Sequence, residues 1–292
     1  MIVLTVRWGT TVSDSFSLGN GVPQGSLLSP LLFNTYVADL TARLNSANVG
    51  CFLGKVCVNH LLYADDICLI CPSVKALQKL INICESFGLA NDMTFCDRKT
   101  SCMYFPCKRI RLQGTPPSVT LNSRPLPYVQ STTYLGYQIT SDLSDDDSIR
   151  KQTRYLYTKA NTLSRTFGNC SAETKRVLFM SHCCSLYCVQ VWSNHSAAAL
   201  QRVKVAFHDA LKIMTSQPRS TSNSWLFALL RLDTFDARRR KLTHSFATRL
   251  LASENDIVRA LSCSDAVSTS TFWSNYCKVV HRPRARRDAM TM

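Results

Sequence analysis

The sequence predicts an α+β fold, with an antiparallel sheet and helices over residues 1–145 and an all-helical region over residues 146–260. Three observations predict it. Strand-length apolar runs alternate with amphipathic helical stripes up to about residue 145, and from 148 to 260 only helical periodicity is present. The charge divides at the same place. Residues 1–149 hold 11 Lys and Arg against 11 Asp and Glu, whereas residues 150–292 hold 23 against 8, so the whole net charge of +15 lies in the second part. Residues 261–292 read as a basic tail that is expected to be disordered, most plainly at the Pro-containing end from Arg282 to Met292.

The elements follow in order. Ile2 to Val6 and Phe16 to Leu18 flank a polar turn near Thr10 to Asp14, the outline of a hairpin. The turn Gly21-Val22-Pro23-Gln24-Gly25-Ser26 leads into a helix with Ser29 as N-cap and Pro30 at its first position. Phe33, Val37, Leu40 and Leu44 give that helix one apolar stripe. Val56 to Tyr63 and Ile67 to Ile70 are strand-length runs separated by Ala64-Asp65-Asp66, which predicts a tight hairpin with two acids at its tip. Residues 73–90 form an amphipathic helix through Leu77, Leu80, Ile81, Cys84 and Phe87. Ser101 to Phe105, Val119 to Leu121 and Tyr134 to Ile139 read as strands. After the acidic patch Asp145-Asp146-Asp147, helices are expected near 148–167, 171–192, 196–215 and 234–252, with a Pro/Ser-rich break from Gln217 to Ser224.

A neutral part joined to a basic part suits a chain that does chemistry in one region and holds a polyanion with the other, although a solvated basic surface has the same composition. No apolar run approaches the roughly 20 residues that span a bilayer, and Met1 to Arg7 is too short for a secretory signal. An intracellular protein of cytoplasm or nucleus is therefore expected, with its 14 cysteines reduced. Cys68 and Cys71 form a CxxC without a second pair, and Cys263, Cys277 and His281 make a loose cluster; neither has the spacing of a structural zinc site.

Tyr63-Ala64-Asp65-Asp66 carries the strongest chemical signal. Side chains alternate along a strand, so adjacent carboxylates point apart unless the backbone turns between them, as it does at a hairpin tip. Two like charges buried together are costly without a cation, which makes a divalent metal the expected occupant, and carboxylate oxygens suit Mg²⁺. Alone, the pair reads more readily as two turn formers.

Gly21 to Asn34, followed about 40 residues later by Leu62-Tyr63-Ala64-Asp65-Asp66, closely resembles the palm of reverse transcriptases. Asp97-Arg98-Lys99-Thr100-Ser101 is similar to the lysine-bearing motif that follows the palm helix, and Tyr134-Leu135-Gly136 to the primer-contacting strand turn. Ser220 to Leu232, Phe235 and Arg238 to Lys241 resemble the C-terminal helical region of non-long-terminal-repeat (LINE-type) elements. The resemblance implies a partial polymerase palm over 1–145, followed by a helical thumb with its extension. It implies an RNA-directed DNA polymerase that uses an RNA template, a DNA primer, deoxynucleoside triphosphates and two Mg²⁺ ions. Asp65 and Asp66 would bind metal. Pro23, Gln24 and Gly25, with Tyr63 and Ala64, would lie against nucleotide and template, and Leu135 and Gly136 against the primer. Lys99 would meet the leaving pyrophosphate, though an ordinary loop lysine fits its position as well. Arg238, Arg239, Arg240 and Lys241 would track the nucleic-acid backbone, but four successive residues cover all sides of a helix. Trp192, Trp225, Tyr155 and Tyr157 could stack on bases or sit in the core.

One departure stands out. Reverse transcriptases supply a further metal-binding aspartate from a strand well upstream of the Gly-Val-Pro-Gln-Gly turn. The only acid before Gly21 is Asp14, in a polar turn. The fingers and first palm strand are therefore expected to be missing, and the chain by itself to be inactive; a co-opted, non-catalytic nucleic-acid-binding remnant is the alternative. Oligomeric state is left open.

Overall fold

The computed structural model describes residues 2–19, 21–106 and 116–280. They group into two units, the first formed by residues 1–99 and 117–126 and the second by 100–116 and 127–292. This division is not the sequence boundary near 145, because the segment from 127 to 145 groups with the helices.

In the first unit, β1 (Ile2–Leu4) pairs antiparallel with β4 (Phe16–Leu18), and between them β2 (Arg7–Trp8) pairs with β3 (Thr11–Val12). The turn at 21–26 leads into α1 (Ser29–Ser46). Its N-cap is Leu28, not Ser29, and no side chain caps it. The Ser29 hydroxyl donates to the Pro23 carbonyl at 2.6 Å, tying the turn to the helix start instead of accepting from helix amides. β5 (Cys51–Leu53) and β6 (Val56–Val58) form one hairpin, and β7 (His60–Tyr63) and β8 (Asp66–Leu69) the next. The single run expected from Val56 to Tyr63 is broken at Asn59, which is buried. Its amide donates to the carbonyls of Leu44 at 2.7 Å and Val49 at 2.9 Å, satisfying groups at the C-terminal end of α1. Gly50 makes room for it, since a Cβ there would lie 2.5 Å from that of Asn59.

α2 (Val74–Ala90) starts at Ser73, whose side chain accepts from the Ala76 amide. Leu40 and Leu44 of α1 meet Leu80, Cys84 and Phe87 of α2, and Ile67 and Leu69 of β8 pack on the same cluster. Burying one such large side chain stabilises the fold by about 1.5–3 kcal/mol relative to leaving it in water. Short strands β9 (Thr120–Leu121) and β10 (Arg124–Pro125) close the unit against α2, with Gln78 accepting from the Thr120 amide and donating to its carbonyl. Among the described residues strands pair only two by two, so the expected sheet is a set of antiparallel hairpins.

In the second unit, Ser101 to Phe105 does not form the expected strand; only a bridge from Cys102 to Tyr128 is present. Tyr134 to Ile139 is not one strand but a hairpin, with β11 (Ser131–Tyr134) and β12 (Tyr137–Thr140) joined by Leu135 and Gly136. Both loop residues have positive φ, +47° and +81°, as a type I′ hairpin turn requires. α3 (Asp146–Phe167), α4 (Ala172–His182), α5 (Ala197–Met214), α6 (Asn223–Leu229) and α7 (Phe235–Leu251) enclose the larger core. At its centre Phe207 lies 5.2 Å from Phe179, 5.8 Å from Phe227 and 5.9 Å from Phe235, ring to ring.

The expected helix 171–192 stops at His182. Cys183, Cys184, Leu186, Val189 and Trp192 all bury, a pattern one helix face cannot present, and left-handed Leu186 and Cys188 turn the chain to achieve it. Residues 261–280, read as tail, carry α9 (Asp265–Ser268) and α10 (Thr271–Val280) after α8 (Asp256–Ser262). The cause is aromatic: Phe272 packs 5.8 Å from Phe246 on α7, and Asn275 donates to the Trp192 carbonyl. The terminal stretch from Arg282 lies outside the described residues.

Candidate active site and nucleic-acid interface

The β7–β8 hairpin positions the two acids. Register pairs Tyr63 with Asp66, Leu62 with Ile67, Leu61 with Cys68 and His60 with Leu69. Directly opposed residues share a face, so Ile67 and Leu69 on the core place Asp66 and Tyr63 on the outer face. Ala64 and Asp65 form the two-residue loop, and Ala64 has φ +51°. A left-handed backbone at a non-glycine hairpin tip is strained, and the surrounding strand pairing holds it.

Asp65 and Asp66 are both exposed. This corrects the burial argument for a metal: in water, two carboxylates are screened and desolvation does not demand a cation. What the donor set offers is hard oxygen ligands, open to solvent, that suit Mg²⁺ retaining several waters. Among the described residues no three His, Cys, Asp or Glu side chains gather as a metal site, so neither the hairpin nor the CxxC completes one.

Gly25, at φ +84°, occupies the third position of a turn closed by the Ser26 amide on the Pro23 carbonyl. That is the type II geometry, in which a side chain would strain the backbone, and open space surrounds it. Pro23 is half-buried and Gln24 exposed. Among the described residues no hydrogen bond joins this turn to the hairpin tip; both are carried by elements on the Leu40–Phe87 core. Lys99, itself exposed, ends a 3₁₀ turn, Asp97–Lys99. There Asp97 accepts from the Arg98 amide and from Arg124 at 2.9 Å, and the Arg124 hydrogen bond holds its carboxyl below the ordinary value of 3.8.

Leu135 and Gly136 project from β11–β12, anchored from two sides. The Tyr187 hydroxyl donates to the Leu135 carbonyl and the Lys151 ammonium to that of Gly136 at 2.9 Å. Sequence reasoning missed Asp145. Its buried carboxylate accepts from the Tyr137 hydroxyl and from the amides of Ser193 and Asn194, at 2.7 and 2.6 Å, fastening β12 and the 193–194 loop to the start of α3. One acid in a run of three gave no signal of this, since two of its partners lie 48 and 49 residues on.

Arg238 to Lys241 do not form one basic face. Arg239 is buried with its Nη2 3.3 Å from His195, Arg238 donates to the Cys184 carbonyl at 2.8 Å, and Lys241 pairs with Asp233 at 2.7 Å. Arg240 is exposed. Trp192 is fully buried and Tyr157 donates to Asp209, whereas Tyr155 and Trp225 are exposed. No helix among the described residues is long and apolar enough to cross a membrane.

Residues 4–139 match the family described as reverse transcriptase (RNA-dependent DNA polymerase). Beyond that span the chain is similar to RNA-directed DNA polymerases of mobile elements. It is 24% identical, over 87% of its length and 29% of the relative's, to the probable RNA-directed DNA polymerase from transposon BS of Drosophila melanogaster. It is 23% identical, over 86% of its length and 28% of the relative's, to the RNA-directed DNA polymerase from mobile element jockey of Drosophila funebris. For the probable RNA-directed DNA polymerase from transposon X-element of Drosophila melanogaster the values are 23%, 89% and 28%. The chain thus spans less than a third of the length of these curated relatives.

Proposed function

We propose that the chain is the palm and thumb part of an RNA-directed DNA polymerase, with residues 1–145 the palm portion and 146–260 the thumb with its C-terminal extension. The observation that carries this reading is the hairpin tip: Asp66 opposite Tyr63 on the outer face, Asp65 in the loop, both carboxylates open to solvent. Asp65 and Asp66 would hold Mg²⁺, which when bound activates the primer 3′-hydroxyl and neutralises the pyrophosphate leaving group. The Pro23-Gln24-Gly25 turn bounds the nucleotide with bare backbone at Gly25, and Lys99 offers its ammonium to the pyrophosphate. Leu135 and Gly136 meet the DNA primer, and the exposed arginines and lysines of 150–280 follow the RNA template–primer backbone. Cytoplasm and nucleus, where such templates are found, are the compartments this activity needs.

Two carboxylates are one short of a two-metal constellation among the described residues. The chain alone is therefore expected not to extend a primer, and clear templated extension by it with Mg²⁺ or Mn²⁺ would overturn that expectation. The function itself is tested by Asp65→Asn in a polymerase that carries this segment. Templated synthesis should fall by several orders of magnitude with RNA binding unchanged, and near-normal synthesis would remove the site assignment.

A further inference from the structure

In the second unit a groove of about 400 Å³ opens between the Leu135–Gly136 hairpin, α3 and Tyr187, a size within the range of small-ligand sites. Three features make it more than a surface dip. The rings of Tyr155 and Tyr187 line it and are 38% and 53% exposed, which gives two flat apolar surfaces a wet edge. Gln152 also lines it, and although this residue is only 7% exposed, its side-chain nitrogen has no hydrogen-bond partner. A buried amide donor without a partner is uncommon in a folded chain and asks for an acceptor from outside. One cation, Lys151, lines the groove, and two more lie near it on the same helix. Lys151 donates once, to Gly136, and an ammonium has three donors, while Lys159 lies 5.7 Å from the Tyr155 ring and Arg154 is exposed one turn from Lys151.

Aromatic surface, one inward amide and these cations together match a nucleobase attached to its phosphate better than an apolar peptide, which would leave both the amide and the charges unanswered. We propose that this groove seats one unstacked base of the DNA primer strand. Tyr155 and Tyr187 supply ring surface, Lys151 meets the adjoining phosphate, and the Gln152 amide donates to a carbonyl oxygen or ring nitrogen on the base edge. The proposal rests on reading Leu135 and Gly136 as the primer-contacting tip, and extends that reading from backbone contact to capture of a base.

The test uses the full chain and a short single-stranded DNA carrying 5-iododeoxyuridine near its 3′ end. Irradiation should place the crosslink on Tyr155 or Tyr187. Gln152→Leu and Tyr155→Ala should each weaken DNA binding about tenfold, and Tyr155→Phe should restore it, as loss and recovery of one stacked or bonded base would. Gln152→Leu removes an unpaired polar group, so its unfolding midpoint should hold, which separates lost recognition from lost structure. Crosslinking elsewhere, equal affinity for an abasic strand, or parent-like binding by both variants would overturn the proposal while leaving the polymerase reading intact. Stronger crosslinking to the RNA version would overturn the assignment to the primer. Failure to bind any nucleic acid would sink both readings.

Discussion

Asp66 stands directly opposite Tyr63 on the last rung of the β7–β8 hairpin, with only Ala64 and Asp65 between them. That rung fixes where the acids lie, and the loop closing it carries the strain. Ala64, at φ +51°, adopts a conformation that costs an L-residue about 1–2 kcal/mol, of which glycine's greater unfolded-state freedom would return part. Ala64→Gly is expected to stabilise the chain by about 1 kcal/mol or less in denaturant unfolding. A clear destabilisation would mean that the loop is not left-handed there.

Two half-buried imidazoles, His208 and His60, predict an acid sensitivity. Burial pushes His208 below its ordinary value of 6.5, with Lys204 and Lys212 lowering it further against Asp236 and Asp209, and burial does the same to His60. A group whose folded-state pKa is depressed leaves stability intact above the unfolded value. As pH falls below about 6.5 the unfolded chain takes up the proton first, and stability drops until the folded-state pKa is passed. Unfolding free energy should therefore decline on acidification through this window, before carboxylates titrate, and His208→Gln should flatten part of the slope. A rise in stability over the same window would contradict the burial of these rings.

Neighbours in the basic cluster should behave differently. Arg239 is buried and Arg240 exposed. Arg240→Ala is expected to weaken RNA binding at low salt and to reduce the slope of log affinity against log salt by about 1. Arg239→Ala should lower the unfolding midpoint by removing a packed side chain. The reverse pattern, with Arg239→Ala altering the salt slope at full stability, would show that the helix presents its other face.

Much of the candidate site was legible in the sequence because it depends on short-range geometry. Two acids between apolar runs make a hairpin tip, and Gly25 two residues after Pro23 makes a turn that needs a left-handed backbone; neither requires knowledge of the rest of the chain. The helices α1, α2, α3, α5 and α7 were equally readable from their stripes, since Leu40, Leu44, Leu80 and Phe87 recur at helical spacing and all bury. What failed depended on distant partners. Ser29 has the chemistry of an N-cap, but the Pro23 carbonyl claims its hydroxyl. The apolar run through Cys183 to Trp192 has no period because it buries from several sides, and sequence continuity made it look helical. Tyr134 to Ile139 hides a turn at Leu135, a residue that seldom takes positive φ, and Tyr187 stabilises that turn from 52 residues away.

Asp65 and Asp66, exposed on adjacent positions of one bend, are expected to bind a divalent cation. Titration of the chain with Mn²⁺, followed by the electron paramagnetic resonance of the free ion, measures this without requiring turnover. The expected result is a bound fraction that Mg²⁺ displaces and that Asp65→Asn and Asp66→Asn each weaken at least several-fold, with unchanged unfolding midpoints. Binding that is indifferent to both substitutions, or a chain that retains no Mn²⁺ at millimolar concentration, would contradict it.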